Sequence, residues 1–343
     1  MATEYDALLL LSFGGPEGPE DVAPFLANVL RGRPVPPGRL QEVAAHYDHF
    51  GGVSPINGQC QDLIAALRHE LDSHGPKLPI YWGNRNWRPM LGETLQKMAS
   101  DGVGRALAFV TSAYSSYSGC WQYLEDIEGA QSEVGPSAPV VDKLRAYYNH
   151  PGFVEPLVER TAAAIDSLPA SRRADARLVF TAHSLPQAWA ASSDYPVQLA
   201  ETAGLVAADL QRPAWSLVYQ SRSGPPSQPW LEPDIVDHLE ALAAEGAQDV
   251  VVAPIGFISD HMEVVYDLDL EAKTRAGELG LNMVRAGTVG THPRFVRMIR
   301  ELVLERLSEE PTRLWRGSRG PAPDVCPADC CPVTRRPAPV DPD

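Results

Sequence analysis

No apolar run in this chain approaches the about 20 residues that a membrane-crossing helix needs. The longest strand-like stretches, such as Ala7 to Leu11, are too short, and the acidic start MATEYD lacks the basic leader of a signal peptide. Neither an integral membrane segment nor a secretory signal is expected, and the protein is expected in the cytoplasm. Positive charge is scarce as well: 29 Lys and Arg stand against 44 Asp and Glu, giving a formal net charge of -15. That balance disfavours a nucleic-acid partner, which would require basic side chains to neutralise phosphates, and it disfavours docking on an anionic membrane. Cysteine is sparse, at five residues in 343, so metal or redox chemistry is expected before a disulfide framework.

What remains reads as a soluble globular protein, 44% apolar and 21% charged, about twice the length of a typical domain. Two halves run in the same order. ALLLLSFGG (7–15), LPIYWGN (78–84) and RALAFVTSAYSS (105–116), followed by VVDKLRAYYNHPGFV (140–154), are matched by RLVFTAHS (177–184), WSLVYQS (215–221), DVVVAPIGF (249–257) and LNMVRAGTVGTHPRFV (281–296). His150, Pro151, Phe153 and Val154 return as His292, Pro293, Phe295 and Val296 after an offset of 142. Apolar strands alternating with helical patterns mean parallel sheets covered on both faces. The expected fold is α/β, with two similar doubly wound, Rossmann-like halves over 1–150 and 151–315, and a Cys- and Pro-rich tail over 316–343 that cannot fold alone.

Ligands of such sheets bind at the carboxyl ends of the strands. There the segment from Asp249 to Lys273 passes from a strand into a helix carrying Asp260, Glu263, Asp267 and Glu271 at spacings of three and four, with Val264, Val265, Leu268 and Ala272 facing the core. Asp260 reads as part of a capping box. The remaining stripe opposes folding by only about 0.2–0.5 kcal/mol per i,i+4 pair, and either a solvated face or a path for cations or protons accounts for it. His183 in TAHSLP ends a strand in the same half. Alone it reads as a structural histidine; beside Glu263 it reads as a proton acceptor, or as a ligand to a divalent metal such as Fe2+.

The motifs TAHSLP, YQSRSGPPSQPWLEPD, PIGFISDHMEVVYDLDLE and LSFGGPEGPEDVAPFLANVLRGR, in that combination, resemble the ferrochelatases, which insert ferrous iron into a porphyrin, over roughly residues 5–310. The resemblance implies a type II chelatase-like fold with a cleft for the macrocycle. It implies that His183 accepts a proton from the ring, that Glu263 assists or holds iron, and that Asp267 and Glu271 lead protons or metal outward. It places porphyrin contacts at Phe13, Arg31, Ser54, Tyr123 and Ser221; Phe13 stands where many bacterial relatives have Tyr, which removes a tyrosinate ligand to iron. GGVSPING and the cysteine-bearing tail further resemble the actinobacterial branch, implying coproporphyrin III as the substrate. Protoporphyrin IX, a cobalt chelatase of corrin synthesis and a non-catalytic tetrapyrrole or iron carrier stay open as alternatives.

Cys326, Cys330 and Cys331 lie within six residues of the tail, and Cys120 is the candidate fourth thiol. Four thiolates suit a [2Fe–2S] cluster or zinc, and a tail without ligated thiols is the third reading. The family resemblance implies the [2Fe–2S] cluster. Cys60 matches no ligand position and reads as a packed thiol. A cleft completed within one chain makes a monomer the expectation.

Overall fold

The computed structural model describes residues 4–31, 38–224, 227–327 and 330–331. Strands β1 (Ala7–Ser12), β2 (Ile80–Asn84), β3 (Arg105–Val110) and β4 (Val140–Lys143) form one parallel sheet in the order β2-β1-β3-β4. Strands β5 (Arg177–His183), β6 (Trp215–Gln220), β7 (Asp249–Ala253) and β8 (Asn282–Arg285) form a second in the order β6-β5-β7-β8. The two orders are the same when each half is counted from its own first strand, so the repeat read in the sequence is a repeat of topology. Every residue of β1 and of β7 is buried, as expected of inner parallel strands with helices on both faces.

The echo at an offset of 142 also has a structural meaning. His150 precedes the helix Pro151–Asp166 and its Nδ1 accepts from the Gly152 amide at 3.0 Å, while His292 precedes the helix Pro293–Leu307 and accepts from the Arg294 amide at 3.2 Å. In both, an imidazole caps the first turn and Pro occupies the first helical position, where its missing N–H costs nothing. These two helices pack on each other, and the largest apolar cluster takes Leu8, Leu10, Leu107 and Phe109 from one sheet and Leu178, Phe180 and Val251 from the other. The two sheets thus share one continuous core. The position between 150 and 151 falls at the first of the capped helices.

Polar contacts hold the strand ends of the two halves together. The Tyr114 hydroxyl donates to Ile255 O at 2.9 Å, the Ser115 amide to Gln198 Oε1 at 2.7 Å, and Gln59 bonds both backbone groups of Asp260. The rings of Tyr117 and Trp189 meet edge to face at 5.0 Å, and His46 stacks on Tyr266 at 3.8 Å.

Beyond the last helix the chain is anchored by side chains of the folded body. Arg145, buried with Glu305 in a two-pronged pair at 2.7 and 2.9 Å, also donates to Leu314 O. Asn149 donates to Gly320 O, Arg316 pairs with Asp209, and Glu201 accepts from the amides of Ser318 and Arg319. A Pro- and Gly-rich segment with little to bury is ordered here by charged hydrogen bonds to its backbone and its arginines. The final part of the expected tail, 332–343, lies outside the described residues.

Candidate active site

His183 is the last residue of β5, beside β6, and its register partner is Gln220. Three features fix it. The Tyr195 hydroxyl donates to its carbonyl at 2.9 Å, its Nδ1 lies 2.5 Å from Ser184 O, and the Ser184 amide donates to Gln220 O at 2.8 Å. With the Nδ1 proton held by a carbonyl, the other nitrogen, Nε2, faces Glu263, whose Oε1 is 3.3 Å away. Close packing lets the two approach: Gly256 passes so near β5 that a Cβ there would lie 2.6 Å from the Ala182 Cα, and glycine alone has room.

The acidic helix differs from the regular α-helix expected. Only Met262–Val264 is α-helical at its start; Val265–Ala272 is a π-helix, and Lys273–Glu278 resumes the α form. Such widened turns recur at functional sites. Val264, Leu268 and Ala272 are fully buried and Val265 half-buried, so the apolar face survives the change of winding. The cap differs too. His261, not Asp260, accepts from the Glu263 amide at 3.2 Å, while Asp260 lies outside the helix and accepts from Arg285 at 2.9 Å. An Asp side chain with a guanidinium in reach gains more from that charged bond than from a neutral amide.

Burial works against charge on His183, but the Glu263 carboxylate overrides it by attraction and hydrogen bonding, with the Ser184 carbonyl and Asp267 adding to the effect, and the imidazole rises to about 9. For Glu263 burial opposes ionisation, and His183 with some help from His261 brings it down to about 2. The pair therefore holds one proton, on the imidazole, across the neutral range. The side chains remain 29% and 43% exposed, so solvent screens part of their attraction. Asp267, one turn on, is pushed up to about 7, chiefly by burial and against the bond from Ser221, with the Glu263 and Glu271 charges adding. Glu271 is exposed, and its carboxyl is raised by its own partial burial and by Asp234. Glu263, Asp267 and Glu271 follow one another at four-residue spacing along this helix, the first two half-buried and the last exposed.

The remaining predicted residues are more scattered. Phe13 follows β1, is 36% exposed and stands edge-on to Phe25. Arg31 is exposed and donates to Asn28 Oδ1 at 2.9 Å. Ser54 is buried, its amide bonded to Pro16 O. Tyr123 is buried with the Arg85 guanidinium 4.5 Å above its ring, and Arg85 in turn pairs with Asp126. Ser221 donates to Asp267 Oδ2, a use of its hydroxyl that the sequence did not suggest. Gln220, Tyr195 and His261 were not singled out from the sequence; Gln220 could have been found as the residue facing His183 across the sheet.

Cys120 is buried and lies within hydrogen-bonding reach of the Cys326 thiol, and the Cys330 and Cys331 sulfurs are 3.6 Å apart. The tail thus brings Cys326 to Cys120, which lies in the short π-helix Tyr117–Trp121. Among the described residues no three His, Cys, Asp or Glu side chains converge on one point suited to a single metal ion. Cys60 is buried, its thiol 3.3 Å from Ser12 Oγ and raised to about 11 by burial, as befits a packing residue.

Residues 5–307 match the ferrochelatase family. The chain is 54% identical over 345 residues to the coproporphyrin III ferrochelatase of Nocardia farcinica, covering 97% of this chain and 98% of that protein. It is 53% identical over 337 residues to a ferrochelatase of Rhodopirellula baltica, covering 98% and 96%. Among solved structures it resembles the sirohydrochlorin chelatase SirB of Bacillus subtilis subspecies spizizenii in complex with cobalt, with TM-score 0.53 and 11% identity over 89% of this chain and 96% of that one. DR2241 of Deinococcus radiodurans, described as structurally similar to chelatases, follows with TM-score 0.51 and 19% identity, over 93% of this chain and 57% of that one. These two likenesses concern the fold.

Proposed function

The chain belongs to the ferrochelatase family and is a lyase-class enzyme, and from that premise we propose that it inserts Fe2+ into coproporphyrin III, with His183 and Glu263 as its catalytic pair. The observation that carries this reading is the 3.3 Å contact between His183 Nε2 and Glu263 Oε1 at the carboxyl end of β5, backed by Asp267 and Glu271. Substrate identity rests on relatives such as the Nocardia farcinica coproporphyrin III ferrochelatase.

Metallation replaces two pyrrole N–H protons by one Fe2+, so two protons leave for each ion that enters. His183 holds one proton at rest and can take another from the ring only after passing the first on. Glu263 is the neighbouring acceptor. Asp267, poised near neutrality, is the next, and Glu271 opens to solvent. A proton acceptor works best when its affinity is close to the working pH, and Asp267 has that property in this line. The same carboxylates and the His183 imidazole give an arriving Fe2+ oxygen and nitrogen ligands of suitable hardness. On the other wall Phe13 offers a ring face and no donor, while Arg31 and Ser54 are assigned to the substrate's carboxylates. Arg31 is the stronger candidate, because guanidinium geometry suits two-pronged carboxylate binding and its side chain is exposed.

We read the four thiols as ligands of a [2Fe–2S] cluster. Their arrangement as two pairs, Cys120 with Cys326 and Cys330 with Cys331, suits two irons with two thiolates each better than one zinc ion, which draws four ligands to a single point. When bound, the cluster would supply a one-electron couple and a covalent cross-link from the tail to the first half. Iron and acid-labile sulfide analysis with visible absorption of anaerobically purified protein tests this; a colourless protein containing zinc contradicts it. We further read residues 1–150 and 151–315 as the two walls of the cleft, and the protein as a cytoplasmic monomer. Among the described residues no helix is long and apolar enough to cross a membrane.

The test of function is anaerobic supply of Fe2+ with coproporphyrin III and, separately, protoporphyrin IX, following loss of porphyrin fluorescence. Faster loss with coproporphyrin III is expected. Equal rates defeat the substrate assignment, and no loss with either defeats the activity.

A further inference from the structure

We propose that Gln220 is a positioning residue that locks the acidic helix in register with His183 by holding the point where that helix changes from α to π winding. The inference rests on the assignment of His183 and Glu263 as the catalytic pair and names a residue that serves both.

Gln220 ends β6 directly across from His183 and is 1% exposed. Its backbone carbonyl accepts from the Ser184 amide at 2.8 Å, which fixes the residue next to His183. Its side-chain Nε2 donates to the carbonyl of Glu263 at 2.5 Å. One residue thus bonds the strand that carries the imidazole and the helix turn that carries the carboxylate. The carbonyl it reaches lies in the short α-helical turn Met262–Val264, immediately before the π segment Val265–Ala272. There i→i+4 bonding gives way to i→i+5 bonding, a change of winding that helices make only locally. An amide from the adjacent strand donates to the carbonyl at that point, where a buried backbone group gains from a fixed partner, and so stabilises the π register.

The next residue strengthens the clasp. Ser221 has φ +63°, a left-handed conformation disfavoured for a residue with a Cβ, and in it the hydroxyl reaches Asp267. The β6 end therefore grips the helix at two points four residues apart, at the Glu263 backbone and at the Asp267 carboxylate. Strain of this kind persists where the surrounding contacts over-determine it. Without Gln220 the helix could rewind toward regular α geometry, displacing Asp267 and Glu271 relative to Glu263 while leaving the rest of the cleft unchanged.

The test is Gln220→Met, close in size but without a donor, with Gln220→Asn as a second variant that keeps the amide and falls one methylene short. Coproporphyrin III affinity, read by fluorescence titration, should stay within about twofold, while kcat for Fe2+ insertion falls about tenfold or more, the scale expected for small misplacements of reacting groups. Amide hydrogen exchange over 264–272 should quicken in both variants, a readout that needs no turnover. Unchanged exchange together with kcat within about twofold of wild type overturns the proposal. A fall in kcat matched by an equal loss of porphyrin affinity and of thermal stability also overturns it, since that is the signature of general damage. If wild-type protein itself fails to insert iron, the functional reading fails, and the exchange result still decides whether Gln220 holds the helix.

Discussion

The hydroxyl of Ser221 donates to the carboxylate of Asp267, across from the end of β6 to the middle of the π-helix. A serine that the family resemblance assigned to a substrate carboxylate is engaged with a carboxylate of the protein. We therefore expect Ser221 to act with the acids running out from His183, so that its loss is felt in proton transfer before it is felt in porphyrin binding.

For Ser221→Ala the sign follows from the groups around Asp267. Burial and the neighbouring acids raise the Asp267 carboxyl to about 7, and the serine hydroxyl opposes that rise. Removing the hydroxyl raises it further. Asp267 relays only when ionised, so in wild type kcat should climb as pH rises through about 7, and in Ser221→Ala that limb should move to higher pH while KM for porphyrin changes by less than about twofold. Asp267→Asn should abolish the limb. A rise in KM with an unmoved limb would return Ser221 to the substrate.

The His183–Glu263 pair makes a prediction about the free protein. In its folded state the imidazole is raised to about 9, above the about 6.5 of an unfolded histidine, so its contribution to stability is complete below about 6.5 and is lost as pH rises through about 9. Glu263, brought down to about 2, contributes above the about 4.3 of an unfolded glutamate and loses its contribution as pH falls through about 2. Titration of the His183 ring by NMR should show a midpoint well above an ordinary histidine. In Glu263→Gln the midpoint should fall, because burial is then opposed only by the Ser184 carbonyl and Asp267. A midpoint that does not respond to the substitution would mean the two groups are not coupled.

Stability of the tail should depend on the buried pair Arg145 and Glu305, exposed only 1% and 2% and joined by two charged hydrogen bonds. Glu305→Gln leaves the guanidinium buried without its counter-charge, and a loss of about 3–5 kcal/mol is expected, measurable by urea denaturation. Proteolysis near Leu314, whose carbonyl Arg145 holds, should quicken in the same variant. A change under about 1 kcal/mol would show that the pair does not anchor this region.

Much of this architecture was legible because it follows from residue patterns with one physical solution. The continuous apolar runs at Leu8–Leu11 and Val250–Val252 can only be inner parallel strands in a chain of this composition, and the His-Pro repeat at 150 and 292 marks two helix starts that are indeed capped alike. His183 and Glu263 could be paired from the sequence because both follow strands of one sheet, whose carboxyl ends share a mouth. The π winding was not legible, since the spacing of Glu263, Asp267 and Glu271 suits either helix, and the decision rests with contacts from β6. Asp260 looked like a cap because nothing local reveals Arg285, 25 positions on. Gln220 could have been placed opposite His183 by strand register, but its bond to the Glu263 carbonyl comes from a partner that only the fold brings within reach.

The most direct test of the account is His183→Ala, assayed anaerobically with Fe2+ and coproporphyrin III alongside a fluorescence titration of porphyrin binding. The account predicts binding within about threefold of wild type and turnover reduced about 100-fold or more, in line with the loss of a general base. Turnover close to wild type in that variant would contradict it, because the ring would then lose its protons without the imidazole.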